Sequence, residues 1–120
     1  MVKIDDRFRE AIQAIDGALV VSCQASSGEP LNHPEHILAM SLSALNGGAR
    51  ALRLEGVENV RHVRAAAEKL FEGHLPIVGL TKSEIPAAEK LSSVYITASF
   101  AEAEALAEAG ADFIALDATG

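Results

Sequence analysis

Hydrophobic positions along this chain follow two periods that alternate from one end to the other. Phe8, Ile12 and Ile15 stand at i, i+4 and i+7, which predicts an amphipathic helix over residues 5–16. Gly17 then leads into an apolar run, Gly17-Ala-Leu-Val-Val-Ser-Cys-Gln24, too short for a helix and rich enough in valine to predict a strand. Residues 26–33 are polar, and Pro34 is placed for the first turn of a second helix whose stripe is Leu38, Leu42 and Leu45. Asn46-Gly-Gly48 closes that helix. A strand over about 49–55 follows, containing Ala49-Arg-Ala-Leu-Arg53, then a helix from about Glu58 to Phe71 with Val60, Val63, Ala67 and Leu70 on one face. Pro76-Ile-Val-Gly-Leu-Thr-Lys82 predicts a third strand, residues 99–109 a helix ended by Gly110, and Phe113-Ile-Ala-Leu-Asp117 a fourth strand. Residues 83–93 are irregular and polar, and Val94–Thr97 reads as part of the loop after the third strand.

Strands alternating with helices predict a parallel α/β sheet, with no linker or second domain. Side-chain parity adds a direction. Gln24 shares a side with Ser22 and Val20, Arg53 with Ala51, and Asp117 with Ala115 and Phe113. Leu19, Val21, Leu52, Leu54, Ile114 and Leu116 take the other side, as expected of a barrel with a greasy outer layer under helices. Gly79 and Thr81 fit that outer layer less well. A doubly wound sheet is the alternative, but its glycine-rich phosphate turn has no counterpart here.

Composition narrows the partners. Hydrophobic residues make up 49% of the chain and aromatics 4%, so the core is built from Ala, Val, Leu and Ile, as α/β layers are. A net charge of −7 argues against nucleic acid and against an anionic membrane. A phosphorylated metabolite is compatible with it, since such a site needs only backbone N–H groups and one or two cations. The single Cys23 forms no internal disulfide, and the absence of a leader or membrane-length apolar run predicts a soluble cytoplasmic protein.

Each strand was thus expected to end in a polar residue, Gln24, Arg53, Lys82 or Asp117, and in such folds the carboxyl ends of strands converge on one rim. An amide, two cations and a carboxylate there suit an anionic, hydroxylated substrate. Lys82, at the end of an apolar strand, is the strongest candidate for a base or an imine former, against the plain reading of a lysine reaching solvent. Arg53 can clamp an oxyanion or pair with Glu55; Asp117 can orient a hydroxyl or cap a helix; Gln24 can bond a sugar hydroxyl or simply sit on the rim. His33 and His36 lack an evident third metal ligand, and Cys23 lies on the outer parity, where packing is its expected role.

These residues sit in longer matching segments: Val21-Ser-Cys-Gln24, Glu29-Pro-Leu31 with His33-Pro-Glu35, Arg53-Leu-Glu-Gly-Val-Glu-Asn59, Pro76 to Lys82, Tyr95-Ile-Thr97, and Ala109 to Thr119. In that order the chain resembles the N-terminal half of the N-acetylmannosamine-6-phosphate 2-epimerases, TIM (β/α)8-barrel enzymes of sialic-acid catabolism. The resemblance implies a half-barrel of about four βα units over residues 1–120. It implies that Lys82 is a catalytic acid/base, that Gln24, Arg53 and Asp117 surround a phosphorylated amino sugar, and that no metal or other cofactor is needed. The reaction would invert C2 to give N-acetylglucosamine 6-phosphate, with a glutamate and a glycine-rich phosphate site supplied by the barrel's second half. Two departures stand out. Lys82-Ser83-Glu84 replaces the family's Lys-Arg-Asp, with a longer loop before Tyr95, and the Arg/Pro-rich stretch after Asp-Ala-Thr is missing. Four strands leave a barrel open, so the expected partner is a complementary half-barrel or, in a homo-oligomer, a second copy; a truncated product is the third option. The rival readings are a non-catalytic oligomerising or ligand-binding module and a Schiff-base aldolase using Lys82.

Overall fold

The computed structural model describes residues 5–90 and 92–117. Its elements run α1 (Asp6–Ile15), β1 (Val20–Cys23), α2 (Pro34–Asn46), β2 (Ala51–Glu55), α3 (Val57–Leu70), β3 (Ile77–Leu80), a single 3-10 turn at Ala87–Glu89, α4 (Phe100–Ala109) and β4 (Phe113–Ile114). The strands pair in chain order, β1-β2-β3-β4, and every pair is parallel. Each of α2, α3 and α4 connects one strand to the next, which is the half-barrel topology expected of four successive units.

The local chemistry explains the helix boundaries. Asp5 caps α1 by accepting from the Arg7 N–H, Pro34 occupies the first turn of α2 and Ser99 accepts from the Glu102 N–H at the start of α4. Gly110 ends α4 with φ 112°, and a Cβ there would lie 2.5 Å from Arg64 Cγ. Position 110 therefore needs glycine both for its backbone angle and for the side chain that crosses it.

The core lies between the sheet and its helices. Leu52, Leu54, Ile77, Val60 and Leu106 are wholly buried there, each side chain worth about 1.5–3 kcal/mol of transfer free energy. Gly79 faces this layer too: a Cβ would sit 2.9 Å from Ala111 Cβ and 3.3 Å from Leu106 Cδ2. The apparent gap in the greasy outer side of β3 is thus a place where Val60 of α3, Leu106 of α4 and Ala111 press close on the sheet.

An ionic hub ties the amino ends of β3 and β4 to α3. Arg64, on α3, donates to the carbonyls of Gly110 (2.9 Å) and Leu75 (2.8 Å) and to Asp112 Oδ2 (2.7 Å). Asp112 also accepts from the Ile77 N–H at 2.9 Å and meets His74 Nε2 at 2.7 Å, with Arg7 Nε 3.6 Å away. Burial pushes the Arg64 guanidinium below its ordinary value, and the Asp112 charge opposes that shift. From α1 the Phe8 ring also reaches the sheet, 6.0 Å from that of Phe113.

All four strand ends differ from expectation: β1 stops at Cys23, one residue before Gln24, and β3 at Leu80, two before Lys82. Arg53 lies in the middle of β2, which continues to Glu55 because the Gly56 N–H still donates to the Leu80 carbonyl at 2.8 Å. The regular part of β4 stops at Ile114 rather than Asp117. Beyond it, the segment around Ile96 takes over the pairing: Thr97 Oγ1 donates to the Ala115 carbonyl and the Asp117 N–H to that of Ile96. That segment forms a single antiparallel bridge to Lys82, so Val94–Thr97 belongs to the loop and is not a strand of the sheet.

Candidate functional site

Register decides which side chains meet. Ser22, Arg53, Val78 and Phe113 are direct partners across the four strands and share the inner face. One residue on, Cys23, Leu54, Gly79 and Ile114 share the outer face under the helices. The next inner rung holds Glu55 opposite Leu80, with Gln24 beside Glu55 by continuation of the β1–β2 register. Lys82 and Asp117 stand one rung higher. The four sequence candidates therefore occupy three levels of one face.

Their surroundings differ. Lys82 is exposed and opens onto a cleft of about 270 Å3 whose walls include Ser26, Ser27, Glu55, Glu84 and Lys90. Lys90 also lies over the Tyr95 ring, 5.6 Å from its centre, which anchors the loop forming one wall. Arg53 is half-buried, one rung below Glu55 on the same face. Neither Arg53, Glu55 nor Lys82 takes part in any ion pair among the described residues, so the alternative of an Arg53–Glu55 bridge is not the one taken up. Gln24 donates through Nε2 to Ser22 Oγ at 2.7 Å, which orients its amide along the inner face.

Asp117 is engaged by the backbone. Its Oδ2 accepts from the N–H groups of Tyr95 (2.9 Å) and Ile96 (3.1 Å). Those bonds hold the segment that pairs with Lys82, so Asp117 fixes the lysine's backbone from across the rim. The rest of the Asp-Ala-Thr motif, residues 118–120, lies outside the described residues.

In the sequence Glu55 stands out only as a possible partner for Arg53. The structure places it in the cleft with Lys82. Burial pushes its carboxyl above the ordinary value, and the Lys82 N–H and ammonium pull it back only in part. The available signal was parity: Glu55 follows Arg53 by two residues, so the two share a face.

The remaining candidates have packing roles. Cys23 is buried, and burial pushes its thiol up while a hydrogen bond with Ser41 opposes the shift, so the thiolate is disfavoured. His33 caps α2, its Nδ1 accepting from the Glu35 N–H at 3.4 Å. An apolar groove of about 140 Å3 between α2 and α3, lined by Leu38, Leu42, Leu45 and Phe71, carries no titratable group and lies in the outer layer.

A parallel βαβ sheet with its polar side chains gathered at the carboxyl end of the inner face is the architecture of half a TIM-barrel enzyme. Comparison with known proteins makes the class specific. The family model described as "Putative N-acetylmannosamine-6-phosphate epimerase" matches residues 37–120. A protein of Synechococcus elongatus described as "Putative N-acetylmannosamine-6-phosphate 2-epimerase" is 45% identical over 111 residues, covering 92% of this chain and 44% of that protein. One from Escherichia coli O7:K1 with the same description is 40% identical over 119 residues, covering 99% of this chain and 45% of its own. In three dimensions the N-acetylmannosamine-6-phosphate 2-epimerase from Clostridium perfringens superposes with a TM-score of 0.73 at 33% identity, over 89% of this chain and 42% of that one. The chain belongs to the N-acetylmannosamine-6-phosphate epimerase family. It spans less than half the length of these relatives.

Proposed function

We propose that this chain supplies the Lys82-bearing half of the active site of an N-acylglucosamine-6-phosphate 2-epimerase, interconverting N-acetylmannosamine 6-phosphate and N-acetylglucosamine 6-phosphate in a completed barrel. The observation that carries the reading is the position of Lys82. It opens onto the cleft at the strands' carboxyl ends, on the face it shares with Arg53 and Gln24, in a chain of this family.

The chemistry suits these groups. In the open-chain sugar C2 lies next to the aldehyde carbon, so its hydrogen is acidified and removal leaves an enolate. Lys82 as the free amine takes that proton, and a second group returns one to the opposite face, inverting C2 with no net change in bonds or electrons. Arg53, which has no acidic partner among the described residues, suits the oxyanion or phosphate. Gln24 suits a hydroxyl or the acetamido group, and Asp117 contributes through its remaining oxygen and through the segment it holds. The second acid/base group and the rest of the phosphate site come from the completing half, either a complementary half-barrel chain or segment or a second copy of this chain. The working compartment for such a phosphorylated substrate is the cytoplasm; among the described residues no helix is long and apolar enough to cross a membrane.

The test is proton exchange at C2, followed by NMR in deuterated water with N-acetylmannosamine 6-phosphate. Exchange and epimerisation are expected from the completed barrel and lost by at least about a hundredfold in Lys82→Ala, the scale of one general acid/base. Equal exchange in the variant would remove Lys82 from the mechanism. Borohydride trapping of an imine on Lys82 would replace the epimerase reading with an aldolase.

A further inference from the structure

We propose that Glu55 is the positioning residue of Lys82: a carboxylate held at the end of β2 so that its field falls on the lysine without closing an ion pair. The inference rests on the epimerase reading and adds to it a second residue in this half of the site.

Three features of the backbone place Glu55. It ends β2 opposite Leu80, and Lys82 is two residues beyond Leu80 on the same face, so the two side chains are diagonal neighbours. The Gly56 N–H continues the β2–β3 pairing past Glu55. Asn59, buried at the start of α3, donates through Nδ2 to the Glu55 carbonyl at 2.9 Å and to Asn32 Oδ1 at 3.2 Å, tying the strand end to α3 and to the loop before α2. Gly56 permits this, with φ 96° and a Cβ position only 3.3 Å from Asn59 Nδ2. So many constraints on one strand end are more than a surface glutamate requires.

The charges facing Glu55 are few. The loop after β3 brings Lys82, Lys90 and Glu84 to the cleft, the loop after β1 brings the neutral Ser26 and Ser27, and β2 itself places Arg53 one rung below. None of the ion pairs among the described residues includes Glu55 or Lys82. A closed pair would occupy the ammonium's protons. An open one keeps the carboxylate facing the lysine and leaves the nitrogen to the substrate. Partial burial raises the Glu55 carboxyl above its ordinary value, and Lys82 opposes that shift.

The experiment is acylation of the full-length protein with limiting acetic anhydride at pH 8, read by mass spectrometry on the Lys82 and Lys90 peptides. It needs no turnover, so its failure is separate from failure of the epimerase assay. Glu55→Gln removes the facing carboxylate while keeping the shape and is expected to speed acylation of Lys82 about threefold, the scale of a partly exposed charge pair. Glu55→Asp keeps the charge and is expected to stay near the wild-type rate. Glu84→Gln, in the same cleft, is expected to leave Lys82 unchanged. An unaltered Lys82 rate in Glu55→Gln, an equal rise in Glu55→Asp, or an equal rise in Glu84→Gln would each overturn the assignment.

Discussion

Replacing Asp112 with alanine should cost this fold more than any other single change at a polar position. The Asp112 side chain is 2% exposed and that of Arg64 10%, so the substitution strands a guanidinium in a place water barely reaches. Arg64 keeps its bonds to the Gly110 and Leu75 carbonyls, but these carry no charge to balance it. Breaking a buried pair by removing one partner costs about 3–5 kcal/mol. The Ile77 N–H also loses its acceptor, which alone is worth about 1–3 kcal/mol and is contained in the same measured total. In urea unfolding, with a slope of about 1–3 kcal/mol per molar for a domain of this size, the midpoint should fall by about 1 M or more. A double-mutant cycle separates the two contributions. In an Arg64→Met background there is no charge to strand, so Asp112→Ala should cost only the Ile77 share, leaving a coupling near about 2 kcal/mol. Additivity within about 0.5 kcal/mol would refute the argument, because it would mean that Arg64 and Asp112 do not depend on each other.

Two further changes probe different parts of the frame. Gly79→Ala places a methyl 2.9 Å from Ala111 Cβ and 3.3 Å from Leu106 Cδ2, so a loss of about 1–3 kcal/mol is expected, or roughly 4–12 °C in Tm; calorimetry showing no loss would mean that this packing gives way freely. Glu102 accepts from the Ser99 hydroxyl and the Thr81 hydroxyl, and those bonds hold its carboxyl below the ordinary value. Its folded value is depressed, so the stability it contributes is present above the unfolded value of 4.5 and is lost as pH falls through the folded one. Glu102→Gln should therefore lower Tm by a few degrees at pH 7, with the difference from wild type disappearing once the solution is more acidic than both values; a difference independent of pH would point to packing instead.

How far the sequence could be read depends on whether a residue answers to its neighbours or to distant chain. Periodicity is a local property, and it located all four helices and the strand sides carrying Leu52, Leu54 and Ile114. It could not show where β2 ends, because Arg53 and Glu55 share a parity and only the Gly56–Leu80 bond extends the strand to the second of them. It gave no hint of Arg64, which reads as one more cation on a helix. Its burial depends on Leu75, Gly110 and Asp112, which lie 11, 46 and 48 residues further along.

The four rim candidates sharpen this point, since a polar residue closing an apolar run has two fates. Asp112 and Asp117 stand at opposite ends of the same short strand region, and both accept backbone N–H bonds from other segments. Arg53 and Lys82 take up no acidic partner among the described residues. In the sequence these cases look alike; only the fold separates a side chain spent on holding the chain together from one left for a ligand. Arg53 and Lys82 share the inner face at the carboxyl side of the sheet, where half a barrel presents its chemistry. The buried cation at the amino side, Arg64, is fully engaged. At the amino side Arg64 and Asp112 thus serve stability, while Arg53 and Lys82 on the inner face enter no ion pair among the described residues, in keeping with the proposed role of that face in binding.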